Sequence, residues 1–492
     1  MTFTQTTAEL AKLLGAGYGL AVIDSFEEKR GLRLAQLATE KAGLPLFTWS
    51  VSRGMTPAAK GPALADALAA LRASDRPGVL ALLGLQLSSL TAVERRMLSE
   101  AAAEGPAARQ HVVAIAPLGE LPDELQREAA TLTLSPPDEA ELKALLDETA
   151  APLNVDPGES AAASVAAARG LGLEEARRVF RMALLEKGDL TSTILAEKRR
   201  LLRRSSALDC IELGADEGPG LTLVGGLDNL KQWLADRRKS LSADALAFGL
   251  PPPKGLLLLG VQGCGKSLSA KAIAAEWRMP LCRLDLAGLF SDRGSAHAAL
   301  RQAIGSAEAM APVVLWIDEM EKAFAGVDSG QDASLARIFG WFITWLGERT
   351  SPVFVVATAN DVTHLPPELM RKGRFDETFF VDLPTEKARA EILSIHLRRR
   401  GRDPDPLPVA AIAKRCEKFS GAELEQLIVG ALHSAFSEGR ELNGDDLWRA
   451  HHDTVPLYQV YEEKIKALRV WAQNRARPAA QEVKLSDLVQ RL

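Results

Sequence analysis

The segment that most restricts the fold is Gly255-Leu-Leu-Leu-Leu-Gly260, running directly into Val-Gln-Gly-Cys-Gly-Lys266-Ser267. Four consecutive leucines suit a strand buried on both faces, as in parallel sheets covered by helices. The glycines after it let backbone N–H groups converge, and the helical stretch that follows to Glu276 adds its positive N-terminal end. The spacing Gly-x4-Gly-Lys-Ser is that of a phosphate-binding loop. It predicts a cradle made by Gly260, Val261, Gln262, Gly263, Cys264 and Gly265. Lys266 is expected to reach the β- and γ-phosphates of a nucleotide, and the Ser267 hydroxyl to bind Mg²⁺.

That strand–loop–helix has a counterpart earlier in the chain. Gly19-Leu-Ala-Val-Ile-Asp24, a loop and an alanine-rich helix to Glu40 run nearly in step with Gly255 through Glu276. The strands Val79–Leu83 and Val313–Ile317 correspond, as do His111-Val-Val-Ala-Ile-Ala-Pro and Phe354-Val-Val-Ala-Thr-Ala-Asn360. A further strand and a proline follow each, and Gly172-Leu-Glu-Glu-Ala176 sits where Ser420-Gly-Ala-Glu-Leu424 sits. Strands alternating with helices imply parallel sheets. The fold class is therefore α/β, a three-layer parallel sheet with a helical lid, present twice. The boundaries expected are 1–205 for a first domain, 206–220 for a linker, 221–385 for the second α/β unit, 386–470 for its lid and 471–492 for a tail.

Bulk properties narrow the class. An apolar fraction of 47% and a charged fraction of 25% are those of a water-soluble chain. The net charge of −5 argues against a whole-surface nucleic-acid binder, and the basic helix at Lys198–Arg204 reads as a solvated or inter-subunit face. No apolar segment approaches a membrane span, and Met1-Thr-Phe-Thr-Gln-Thr-Thr carries no secretion signal. Cys210, Cys264, Cys282 and Cys416 lack zinc or CxxC spacing, so reduced thiols in a cytoplasmic protein are expected. Cys264 stands where only a backbone N–H is needed; an ordinary small residue is the plain reading, oxidation sensing the alternative.

Three further elements accompany the loop. The strand Val313–Ile317 ends in Asp318-Glu319, which would place Asp318 on the magnesium and Glu319 beside a water facing the γ-phosphate. A second strand ends in Asn360, able to orient that water or, alternatively, to form a turn before Asp361. Arg371-Lys-Gly-Arg374-Phe-Asp376 carries two guanidinium groups three residues apart, suited to charge on a transferring phosphoryl group or to a solvated basic turn.

In this order, with Val224-Gly-Gly-Leu-Asp228 ahead of them and His396 and Ser420-Gly-Ala-Glu-Leu424 behind, these residues resemble an AAA ATPase module from about Leu223 to Phe436. The resemblance implies a ring, usually of six copies, with Arg371 and Arg374 acting on the neighbour's nucleotide. It also implies that Gly225, Gly226, His396, Gly421 and Ala422 lie near the ribose and adenine; from the residues alone, His396 is a packed helix histidine. More narrowly, the degenerate first half, Gln262 and Phe342-Ile-Thr-Trp-Leu346 resemble the bacterial and plastid group described as hypothetical chloroplast reading frame forty-six.

The first half departs from the pattern at each chemical position. Asp24-Ser-Phe-Glu-Glu-Lys-Arg30 replaces the phosphate loop, Gly84-Leu85 the acid pair, and Pro117 the asparagine. Lys29 and Arg30 read as a solvated loop, with an anion site the alternative. The stretch after Leu281-Cys-Arg-Leu-Asp285 is shortened where threading motors carry an aromatic loop, with Asp292 at the aromatic position and Phe290 a substitute. The expectation is an ATP-hydrolysing ring that remodels a protein partner. An ATP-gated scaffold with slow turnover is the alternative, and a nucleic-acid motor the third possibility.

Overall fold

The computed structural model describes residues 2–481 apart from 57–62, 75, 117–120, 187–188, 206–207, 212–219, 242, 292–295 and 325–332. Pro117, Asp292 and the part of the expected tail from 482 onward fall outside the described residues. The chain forms two compact units: Met1–Ser206 with Gly294–Ala309, and Ala207–Arg293 with Met310–Leu492.

The first unit holds a six-stranded sheet built from β1 (Leu20–Asp24), β2 (Leu46–Ser50), β3 (Gly54–Thr56), β4 (Gly78–Leu83), β5 (Gln110–Ala116) and β6 (Ala129–Thr133). Its order is β3-β2-β4-β5-β1-β6, with only β3 antiparallel to its neighbour. The second unit holds β7 (Leu208–Ile211), β8 (Gly255–Gly260), β9 (Leu281–Leu284), β10 (Val313–Ile317), β11 (Val353–Ala359), β12 (Glu377–Val381) and β13 (Arg477–Pro478). These pair in the order β13-β12-β8-β11-β10-β9-β7, and only β7 runs antiparallel. Among the parallel strands both sheets read fifth, first, fourth, third, second along the sheet, leaving aside β13. The internal repeat is therefore a repeat of topology.

Burial explains the strand composition. Leu256, Leu257, Leu258 and Leu259 are each 0% exposed, as a central parallel strand covered on both faces requires. One face packs Trp233, Trp277, Phe354 and Phe379; a separate lid core gathers Leu393, Ile412, Phe419, Leu424 and Leu427.

Three expectations change here. The linker at 206–220 contains β7, whose four residues pair with β9 at the sheet edge. The tail from 471 supplies β13, where Asn229 Nδ2 donates to Pro478 O at 3.0 Å and to Ala480 O at 2.9 Å, fastening that edge. Lys198 is buried, its ammonium donating to Ala167 O at 3.1 Å, and does not belong to a solvated face.

Candidate nucleotide-binding site

The loop after β8 closes because its glycines take a position and backbone angles that other residues rarely adopt. A Cβ on Gly260, at φ +147°, would lie 1.9 Å from Val381 O on neighbouring β12. Gly263 and Gly265 hold φ of +76° and +90°, conformations that favour glycine. The helix Lys266–Trp277 then starts directly at the turn, aiming its free N–H groups into it. Lys266 is 5% exposed and donates to Gly260 O at 2.8 Å and Val261 O at 2.7 Å. Burial lowers its pKa to about 8. A buried ammonium on its own loop carbonyls is a cation placed for a partner of high negative charge, and the positive-φ glycines beside it leave room for phosphate oxygens. The residues present fit a nucleoside triphosphate.

The residues expected to hold magnesium and water form one connected chain of contacts. Ser267 Oγ donates to Asp318 Oδ1 at 2.8 Å, and Thr358 Oγ1 donates to the same oxygen at 2.6 Å. The Thr358 hydroxyl in turn accepts the Glu319 N–H at 3.0 Å. Glu319 has φ of +49°, uncommon for a residue with a side chain, so its backbone is held in place by its surroundings. Asn360 Nδ2 donates to Glu319 Oε1 at 3.2 Å, while the Lys322 ammonium lies 2.5 Å from Glu319 Oε2. The hydroxyl of Ser267 and carboxylate of Asp318 are hard oxygen donors, the set that magnesium takes beside phosphate and water.

Two members of this network were not legible as functional residues. Thr358 is a lone hydroxyl in an otherwise apolar strand, 1% exposed, and that isolated polarity was its only sequence signal. Glu321 follows the acid pair and is 6% exposed; its Oε1 accepts the Asn360 backbone N–H at 3.0 Å. Its other oxygen is buried without a hydrogen-bond partner, and burial pushes its carboxyl above the usual range.

The remaining predicted residues divide into two groups. Ala422 N donates to Gly263 O at 2.9 Å, so the N-terminus of the lid helix Gly421–Ser437 meets the loop itself. Gly226 N donates to Glu391 Oε2 at 2.9 Å, and a Cβ on Gly225 would lie 2.5 Å from Ile392 Cγ1. Gly225, Leu227, Cys264, Leu383, Ile392 and Gly421 line a small, largely apolar cleft between loop and lid. His396 lies one turn beyond Ile392, within 3.5 Å of Glu425 Oε1, with its pKa lowered by burial. Gln262 is exposed at the loop's apex. Burial pushes the Cys264 thiol up to about 12, which leaves little thiolate for oxidation sensing.

Arg371 and Arg374 lie elsewhere. Asp376 N donates to Gly255 O at 2.9 Å, and Lys254 Nζ donates to Gly373 O at 2.9 Å, so this motif sits at the start of β8. The phosphate loop leaves the other end of that strand, five residue steps or about 17 Å away. Arg371 is exposed, and Arg374 keeps a buried Nη1 with no hydrogen-bond partner.

In the first unit the corresponding turn is cross-tied by its own side chains. Arg30 is 4% exposed; its Nη2 donates to Glu141 Oε2 at 2.8 Å, and its Nη1 to Glu27 Oε2 at 3.1 Å and to Ser135 O. Glu27 Oε1 accepts the Leu173 N–H at the start of the helix Leu173–Leu185. A carboxylate thus meets the helix terminus that corresponds to Gly421–Ala422. Lys29 is solvated, but Arg30 is caged by acids and corrects the reading of both as a solvated loop.

Known protein families match three segments of the chain. Residues 256–383 match the ATPase family associated with various cellular activities (AAA). Residues 6–134 match the N-terminal domain, and 140–205 the second domain, of SpoVK-like AAA ATPases. The chain is 36% identical over 481 residues to the uncharacterized AAA domain-containing protein ycf46 of Trieres chinensis, covering 94% of this chain and 96% of that one. It is 43% identical to the ycf46 protein of Pyropia yezoensis over 63% of this chain and 64% of that protein. The proteasome-activating nucleotidase of Aeropyrum pernix is 36% identical over 41% of this chain and 51% of its own length. Among the described residues, no helix is long and apolar enough to cross a membrane.

Proposed function

The chain belongs to the AAA family of ATPases, beside the ycf46 proteins, and from that premise we propose that it hydrolyses ATP at Gly260–Ser267 and uses the turnover to remodel a protein partner. Lys266 and the loop N–H groups hold the β- and γ-phosphates, while Ser267 and Asp318 hold Mg²⁺. When bound, the metal neutralises charge on the phosphate oxygens. Glu319 takes the proton of the attacking water, and Asn360 orients both that water and the carboxylate. Gly225, Gly226, His396, Gly421 and Ala422 border the base and ribose.

The observation that supports this reading is the unbroken path Ser267–Asp318–Thr358–Glu319–Asn360, which links the residues assigned here to the metal with those assigned to the water. Arg371 and Arg374, at the opposite end of β8, cannot serve their own chain's phosphates. They complete the site of an adjacent copy instead. AAA proteins are commonly oligomeric rings, and we infer a ring of six, in a cytoplasmic compartment, whose hydrolysis depends on assembly. The first unit, with Arg30 and Glu27 in the phosphate position, serves as an inactive docking layer. Glu319→Gln tests the assignment: nucleotide binding stays while phosphate release stops. Full turnover in that variant removes Glu319 as the base.

A second reading, an ATP-gated scaffold with slow turnover, is favoured by one contact. The Lys322 ammonium pairs with Glu319 Oε2, the carboxylate oxygen that Asn360 leaves, and so engages the group that would take the water's proton. Under that reading Lys322→Ala raises steady-state turnover severalfold and partner proteins give no stimulation; under the first it leaves turnover near wild type.

A further inference from the structure

Strands β7 and β9 bring together two cysteines that stand 72 residues apart in the sequence. In the antiparallel ladder Cys210 lies directly opposite Cys282, between the pairs Asp209–Arg283 and Ile211–Leu281. Directly opposed residues project from the same face, with Cα atoms about 4.5–5.5 Å apart. That spacing lies inside the 4.4–6.8 Å window that a disulfide spans without backbone movement. The two sulfurs are 2.8 Å apart, within about 0.8 Å of a covalent S–S bond. We propose that Cys210 and Cys282 are a disulfide-forming site, oxidised reversibly by a peroxide and fastening the edge strand β7 to the nucleotide-binding sheet.

Access gives the two thiols different roles. Cys210 is half-buried at the sheet edge, whereas Cys282 is fully buried. The peroxide therefore meets Cys210 first: its sulfur attacks one peroxide oxygen, the O–O bond breaks, and water leaves, giving a sulfenic acid. The Cys282 sulfur then attacks the Cys210 sulfur, the S–O bond breaks, and the hydroxyl departs with the Cys282 proton as a second water. Both thiols are oxidised by one electron each, and one peroxide is reduced to two waters. A thiol reductant reverses the bond by exchange. Burial pushes the Cys264 and Cys416 thiols up to about 12 and about 11, which leaves little thiolate at either.

The consequence follows from where β7 lies. It has four residues and sits at the sheet edge, paired among the described residues with β9 alone. So short an edge strand has few backbone bonds to retain it beside the burial of Leu208 and the packing of Ile211 on the core, and it opens ahead of the central strands. A bond from Cys210 to Cys282 closes the loop between them and removes that opening. This inference does not depend on the hydrolytic reading, since it concerns the sheet edge and not the phosphate loop.

The test uses the full chain, reduced and then treated with hydrogen peroxide. Expected are loss of two of the four alkylatable thiols on denaturation, a non-reduced peptide joining the segments around Cys210 and Cys282, and reversal by dithiothreitol. Treatment should also raise the melting midpoint by several degrees in the wild type and leave Cys210→Ser, Cys210→Ala and Cys282→Ser unmoved. Four reactive thiols after treatment would overturn the proposal. So would a sulfinic acid on Cys210 without a link, oxidation confined to the Met310 sulfur that lies 3.8 Å from Cys210, or a cross-link involving Cys264 or Cys416.

Discussion

Replacing Thr358 by Val isolates the contribution of one hydroxyl to the proposed chemistry. The side chain is 1% exposed and valine has nearly its shape, so packing in β11 is kept while two bonds are lost. One is the donation to Asp318 Oδ1 at 2.6 Å, the other the acceptance of the Glu319 N–H at 3.0 Å. A hydrogen bond to a charged partner contributes about 1.5–3 kcal/mol, and an orphaned buried N–H costs a similar amount. Glu319 holds a positive φ, so losing the bond to its N–H frees the backbone to relax and swings the carboxylate away from Asn360. If about 2 kcal/mol of this appears in the barrier, kcat falls roughly 30-fold. Nucleotide affinity, set by the loop and Lys266, should change far less. Phosphate release under saturating ATP measures the first quantity, and titration with a fluorescent nucleotide the second. Thr358→Ser, which keeps the hydroxyl, should retain most activity. A Val variant within twofold of wild type, or a Ser variant equally impaired, would refute the reasoning.

Two further outcomes follow from buried charge. Arg30→Met leaves Glu27 and Glu141 facing each other without the guanidinium; breaking such a pair costs about 3–5 kcal/mol when fully buried. Their carboxylates are 20% and 24% exposed, which reduces this to about 2–3 kcal/mol, a drop of roughly 8 °C in the first unit's melting midpoint by calorimetry, where no change would contradict the cage. Lys266, lowered to about 8 by burial, gives a pH signature. Between that value and its ordinary 10.5 the folded protein binds fewer protons than the unfolded one, so this lysine makes stability rise with pH across that window. Phosphates beside it would restore the proton. MgATP binding at pH 8.5–9 should therefore take up protons, seen as a buffer-dependent binding enthalpy, and uptake should vanish in Lys266→Met.

Much of the fold was legible because its signals are local. Leu256–Leu259 can only be a doubly covered strand, and Gly260, Gly263 and Gly265 announce a turn that no other residues would make. The acid pair and Asn360 each end an apolar strand, and the parallel order brings those ends together. What escaped was non-local or very short. Arg30 reads as a loop cation until Glu141, 111 residues later, is placed beside it. Thr358 looks like a β-branched strand residue, and only the register with β10 turns its hydroxyl toward Asp318. Strand β7 has four residues and β13 two, one of them proline, too little for periodicity to register. Cys210 and Cys282 carry no spacing signal because the ladder, not the sequence, sets them opposite.

The central claim, that each ATP site is completed by Arg371 and Arg374 of another copy, is tested by mixing two inactive variants. One carries Lys266→Ala and keeps its arginines; the other carries Arg371→Ala and Arg374→Ala and keeps its phosphate loop. Each alone should be nearly inactive. Co-assembled in equal amounts, about a quarter of head-to-tail interfaces would combine an intact loop with intact arginines, so ATPase activity should return to roughly that fraction of wild type. A mixture no more active than its parents would contradict the shared site.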